Sequence, residues 1–221
     1  MIYNSNIHHR RSIRLKNWDY GSPGFYFITI CSYGRQAIFG EIINGEMILS
    51  ELGKIIKEEW SKTPVIRKNI KLMDFIIMPN HIHGIIIITE NVNDAVGANR
   101  WFAQDENQND FILSKFVDAK RATQRVAPTP RPFLKSNSLG SIIGQFKSIV
   151  TKRSQQNNVW QRNYYDHIIR NEKDLYNIQG YILGNISQWQ ADLENLQLYK
   201  HWTEREREYF VQKHYDELFG K

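Results

Sequence analysis

Cysteine is nearly absent from this chain. Cys31 is the only one in 221 residues, which excludes an intramolecular disulfide and suits a reducing cytoplasm. It sits in an apolar run and reads as a packed side chain rather than a nucleophile. Long apolar runs are missing too. None reaches the ~18 residues that a membrane-crossing helix needs, and a mean hydropathy of −0.53 argues against an integral membrane protein, so no membrane partner is expected. The opening residues Met1–Asn6 lack the apolar core of a signal peptide, and we expect a cytoplasmic location. No internal repeat is visible.

What is present in excess is positive charge, at net +6 and a pI near 9.3, which leans towards a polyanionic partner. The charge falls in three groups. Arg10, Arg11, Arg14 and Lys16 form a basic arm within residues 1–20. Lys147, Lys152 and Arg153 lie on an expected helix, and Arg162 and Arg170 bracket an aromatic segment. Solvated faces explain most such runs; three groups beside a metal site would favour phosphate binding.

Hydrophobic residues make up 41% of the chain, enough for a core, and the length fits one domain with elaborations or two small ones; we expect a single domain over residues 1–221. Gly24–Cys31 is aromatic and β-branched and reads as a central strand. Ile42 to Ile48, with Asn44-Gly45 inside, reads as a tight hairpin. Ser50 caps a helix expected to run to Thr63 and to end at Pro64. Two paired strands follow between Lys71 and Thr89. Residues 91–139 are polar and proline-rich, and read as a flexible insertion. Ser141 to Arg153 is helical by its apolar spacing, Trp160 to Arg170 a short aromatic strand or loop, and Asn171 to about Leu193 a helix opened by Glu172 and Asp174. The tail, residues 199–221, reads as an amphipathic helix that docks on the core or a partner. This order predicts an α+β domain: a ferredoxin-like split-βαβ core with an antiparallel sheet and helices on one face.

The chemistry centres on Met78-Pro79-Asn80-His81-Ile82-His83-Gly84, a turn leading into a β-branched run. Residues two apart on a strand share a face, so His81 and His83 project side by side while Ile82 points to the opposite layer. Two imidazoles so placed can bind one divalent metal; the plain alternative is a pair of hydrogen-bonded strand histidines. A third ligand must come from elsewhere. Tyr181 and Asn185 are four apart and share a helix face. Asn185 offers a carbonyl oxygen suited to Mg²⁺ or Mn²⁺, and Tyr181 a phenol that could attack phosphorus. Spacing alone does not select Tyr181 among 11 tyrosines, and a packed ring with an exposed hydroxyl is the commoner role.

Pro79-Asn80-His81-Ile82-His83-Gly84 resembles the His-hydrophobic-His strand of HUH single-strand nucleases, and more narrowly that of the REP-associated tyrosine transposases. Further segments carry the same resemblance: His9–Lys16, Gly24–Cys31, Ser141–Thr151, Val159–Glu172 and Tyr181–Asn185. It spans residues 8–195. It implies an HUH-type fold, a metal held by His81, His83 and Asn185, and a nucleophilic Tyr181 that cleaves and rejoins single-stranded DNA next to a hairpin (REP-like palindromes) through a 5′-phosphotyrosine. Family members often continue as Asn-Pro, whereas Ile186 follows Asn185 here. Tyr164, Tyr165 and His167 form a cluster expected to pack and to contact the DNA backbone. A monomer and a homodimer both stay open. Two rival readings are a nucleic-acid-binding module without turnover and a metal-dependent hydrolase that uses water.

Overall fold

A computed structural model describes residues 15, 18–90, 136–195, 198 and 200–218. Arg10, Arg11, Arg14, Lys16 and residues 91–135 lie outside the described residues, and so does most of the expected insertion.

The order is β1 (Gly24–Cys31), β2 (Gly40–Ile43), β3 (Glu46–Leu49), α1 (Glu51–Ile66), β4 (Ile70–Ile77), β5 (His81–Ile88), α2 (Leu139–Ser154), β6 (Tyr165–Ile169), α3 (Glu172–Gln188) and α4 (Glu204–Leu218). β2 and β3 form a separate hairpin. Its turn holds Asn44 at φ 52° and Gly45 at φ 80°, the paired left-handed conformation that Asn-Gly turns adopt readily. The main sheet runs β4-β5-β1-β6, every neighbouring pair antiparallel. β1 and β4 are therefore parallel to each other, joined through α1 and separated by β5. That is the split βαβ arrangement, and the α+β architecture with an antiparallel sheet is present.

Ser50 caps α1 by accepting the Gly53 N–H. The helix passes Pro64 and ends at Ile66. A proline removes one N–H from the ladder, and this close to the end the last turn still closes through Arg67 N–H to the Thr63 carbonyl.

The expectation of helices on one face is corrected. α1 and α2 cover one side of the sheet, packing Leu52, Ile56, Trp60, Ile142, Ile143 and Phe146 against Tyr26, Ile28, Ile82 and Ile86. α3 and α4 cover the other, with Leu175, Ile178, Ile182, Val211 and Tyr215 against Phe25, Phe27, Ile85 and Ile87. The reason lies in the central strands. β5 is buried along its whole length and β1 along nearly all of it, so neither face can be left in water. Gly84 belongs to this packing, because a Cβ there would come within 2.6 Å of the Trp60 ring. Trp60 in turn stacks on Phe75 at 4.6 Å. Among the described residues no helix is long and apolar enough to cross a membrane.

Candidate functional site

The turn before β5 is pinned from three sides: Met78 N–H to the His81 carbonyl, Ser32 N–H to the Asn80 carbonyl and Phe39 N–H to the Pro79 carbonyl. It delivers His81 and His83 to the α3–α4 face with ring centroids 4.5 Å apart, while Ile82 enters the opposite core. Both imidazoles are fully buried.

Each ring is held by its Nδ1. The Asn80 amide nitrogen donates to the carbonyls of Arg35 (3.0 Å) and Glu194 (2.7 Å), so its oxygen must be the acceptor facing His81 Nδ1 at 2.8 Å. His81 Nδ1 then carries the proton. Burial, and then the neighbouring His83 ring and the Arg35 charge, which disfavour a second proton here, hold the His81 pKa well below the usual range. The ring is neutral, and its Nε2 keeps a lone pair. Thr29 plays the same part for His83. Its hydroxyl donates to Tyr215 at 3.3 Å and accepts from His83 Nδ1 at 2.9 Å. Burial, with a contribution from His214, pushes the His83 pKa down to about 3. Backing of Nδ1 by a fixed partner is how metal-binding histidines are oriented.

α3 brings the other groups. Asn171 caps it by accepting the Asp174 N–H, and His167 on β6 holds the Asp174 carboxylate at 2.9 Å. Two turns further, the Tyr181 hydroxyl reaches His83 Nε2 at 3.3 Å. Burial, helped by the charge of Asp192, raises the Tyr181 pKa, and contacts with Tyr215 and Asn185 oppose the rise. Asn185 is 2% exposed. Its side chain also lies close enough to His81 to favour the charged imidazole, yet Asn185 Oδ1 and His81 Nε2 both lack a hydrogen-bond partner. Two acceptors left bare side by side suit a cation, and two imidazole nitrogens with an amide oxygen form a donor set that Mg²⁺ or Mn²⁺ accepts. Among the described residues no three His, Cys, Asp or Glu side chains could hold a metal by themselves; the third donor here is an amide.

The structure thus gathers His81, His83, Tyr181 and Asn185, which the sequence separates by up to 104 positions. Tyr165 joins the same face, stacked on Tyr215 at 4.3 Å, whereas Tyr164 packs against the opposite core. The basic residues are dispersed. Lys147 is half-buried and donates to the Gln161 and Asn163 carbonyls at 2.7 and 2.9 Å, and burial pushes its pKa down to about 8. Arg153 pairs with Glu58 and Glu59. Lys152 and Arg162 are exposed. Cys31 is partly buried and its thiol pKa is raised by burial.

Four residues of the site went unread in the sequence: Asn80, Thr29, Tyr215 and Asp192. Asn80 had a signal, since it adjoins His81 inside the motif. Thr29 and Tyr215 had none, because only the β1–β5 register and the docking of α4 bring them in. Asp192 follows the short helical turn Trp189–Ala191 and places Oδ2 3.8 Å from His81 Nε2. Burial pushes its pKa up to about 7, against the pull of Arg35.

No protein-family model matches the chain. Solved structures that resemble it include two at low sequence identity. A REP-associated tyrosine transposase bound to a REP hairpin is 15% identical, with 79% of this chain and 73% of that one covered at a TM-score of 0.48. A putative transposase from Deinococcus radiodurans is 13% identical, with 77% and 97% covered at 0.31. Neither superposes well enough to bear on function. An uncharacterized protein of Haemophilus influenzae (strain ATCC 51907 / DSM 11121 / KW20 / Rd) is 41% identical over 194 residues, spanning 86% of this chain and 95% of its own. The chain belongs to the family of that Haemophilus protein.

Proposed function

We propose that this chain is a metal-dependent single-strand DNA nuclease and strand transferase that works through Tyr181. The observation that carries the reading is the convergence of a tyrosine hydroxyl with two imidazoles whose Nδ1 atoms are already committed. The sequence resemblance to REP-associated tyrosine transposases supports it independently. His81, His83 and Asn185 would hold Mg²⁺ or Mn²⁺. Such an ion, when bound, polarises a phosphate oxygen and stabilises charge developing in the transition state.

The chain's own groups do the rest. Asn80 and Thr29 fix the two rings, so little reorganisation is needed when a substrate arrives. Tyr181 Oη attacks phosphorus; the new P–O bond to tyrosine forms as the P–O3′ bond breaks. The phenol gives up its proton and the departing 3′ oxygen gains one. One phosphodiester is exchanged for another, so a second 3′-hydroxyl can reverse the step and join new ends. The substrate in this reading is single-stranded DNA flanked by a hairpin. Exposed Lys152 and Arg162, and the arm residues Arg10, Arg11, Arg14 and Lys16, contact its phosphates.

A denaturing gel after incubation with hairpin-flanked DNA and Mn²⁺ tests this. The expected product is a covalent protein–DNA band. Cleaved DNA without that band would mean a hydrolase that uses water, and a native-gel shift without cleavage a binding module.

A further inference from the structure

Asp192 is a buried carboxylate that uses only half of itself. Its Oδ1 accepts the Glu194 N–H at 2.8 Å, closing the turn after α3. Its Oδ2 has no hydrogen-bond partner, and at 3.8 Å from His81 Nε2 the two atoms are too far apart to share a proton. The neighbouring acid is already engaged, because Glu194 pairs with Arg35. Three bare acceptors are therefore His81 Nε2, Asn185 Oδ1 and Asp192 Oδ2, with Asp192 and Asn185 each close to His81 and the Arg35 guanidinium near enough to act on His81 and Asp192. Buried acceptors are almost always satisfied, and a nitrogen, an amide oxygen and a carboxylate oxygen together make a donor set that suits a divalent cation.

We infer that Asp192, through Oδ2, is a fourth donor to the divalent cation held by His81, His83 and Asn185. The inference rests on the metal reading above and adds what that reading lacks. Two neutral imidazoles and an amide bring no negative charge to a buried dication, and Mg²⁺ and Mn²⁺ favour carboxylate oxygen. Oδ1, tied to the turn, orients the carboxyl group and leaves Oδ2 available.

The test uses the full chain freed of metal by chelation, with Mn²⁺ alone as probe. Electron paramagnetic resonance counts the unbound ion, and thermal unfolding is followed with and without it. Asp192→Asn keeps the oxygen that closes the turn and removes the charge. It should weaken Mn²⁺ binding by about tenfold or more. It should also leave the metal-free protein at least as stable as wild type, because it keeps the turn and removes the charge of a buried carboxylate whose Oδ2 has no hydrogen-bond partner. A residue that only closes the turn would leave the Mn²⁺ affinity unchanged. Wild-type affinity in Asp192→Asn overturns the inference and leaves the metal reading standing. So does a variant less stable than wild type without metal, which makes Asp192 a structural turn residue. If wild-type protein binds no Mn²⁺, the metal reading falls and the inference falls with it.

Discussion

The two faces of the sheet are made by the same strands and do different work. On the α1–α2 side, alternate residues of β1 and β5 meet an aromatic cluster in which Trp60 stacks on Phe75 and meets Phe146 edge-on. On the α3–α4 side the alternate positions include Thr29, His81 and His83, and the helices opposite bring Tyr181, Asn185 and Tyr215. A sheet face packed with hydrocarbon gains stability from every buried group. A face that buries histidines, an amide and a carboxylate with bare acceptors gives up some of that gain. The period of two along β5 keeps the two roles one residue apart, so Ile82 and His83 are neighbours in sequence with opposite duties.

The largest effect that can break this contrast is on chemistry. Tyr181→Phe keeps the ring that packs edge-on against Phe27 and removes only the oxygen. It should form no covalent DNA adduct while unfolding within about 1 kcal/mol of wild type, since one hydrogen bond of net ordinary strength is lost. His81→Ala should likewise abolish divalent-metal-dependent cleavage and spare part of the hairpin binding. Adduct formation by Tyr181→Phe, with the DNA mapped to Tyr165, would reassign the nucleophile.

The opposite face should answer with stability. Trp60 is 3% exposed, and Trp60→Ala should cost about 3–5 kcal/mol in denaturant unfolding. At a temperature where the variant remains folded, its Mn²⁺ affinity should match wild type. A folded Trp60→Ala that loses metal binding would show that the two faces are mechanically coupled through β5.

The parts of this arrangement legible in the sequence are the local ones. A β-branched run, an Asn-Gly turn, a serine cap and two histidines at a spacing of two each declare themselves within a few residues, because the backbone geometry that produces them is set by near neighbours. Tyr181 and Asn185 were readable as a pair through helical spacing, and the resemblance chose them. The second helical layer was not readable. That β1 and β5 are apolar at consecutive positions was visible, yet which helices cover which side depends on the chain's path. Asp192, Thr29 and Tyr215 reach the site through tertiary packing, and no periodicity marks them. Lys147 looked like its neighbours Lys152 and Arg153, and only the course of the segment after α2 separates them.

A smaller effect sharpens the comparison within the site face. The Asn80 side chain accepts from His81 and also ties the Arg35 and Glu194 carbonyls together. Asn80→Ala leaves those acceptors and His81 Nδ1 without their donor or acceptor. It should cost roughly 1–3 kcal/mol of stability and roughly 10–100-fold in Mn²⁺ affinity. Asn80→Asp is the check on position. A carboxylate can still accept from His81 Nδ1 but cannot donate to the two carbonyls, so metal affinity should recover more than stability does. Equal recovery of both would mean that Asn80 acts only as a turn residue.

The smallest effect concerns Lys147, on the stabilising side. Its ammonium is committed to the carbonyls of Gln161 and Asn163, and burial has lowered its pKa from 10.5 to about 8. Between those two values the unfolded chain binds the proton and the folded chain does not, so folding gains stability as pH rises from about 8 towards 10.5 and loses it as pH falls through 8. Lys147→Met has no such proton to release. The difference in unfolding temperature between wild type and Lys147→Met should therefore shift in favour of wild type from pH 7 to pH 9.5, by a few degrees at most. The same pair of proteins separates structure from DNA contact. A lysine already spent on two carbonyls releases no counterion from DNA, so Lys147→Met should leave the salt dependence of hairpin binding unchanged, whereas Arg162→Gln should lower its slope by about one unit if that side chain meets a phosphate. A slope lowered equally by both variants would place Lys147 on the DNA and detach it from its carbonyls in the complex.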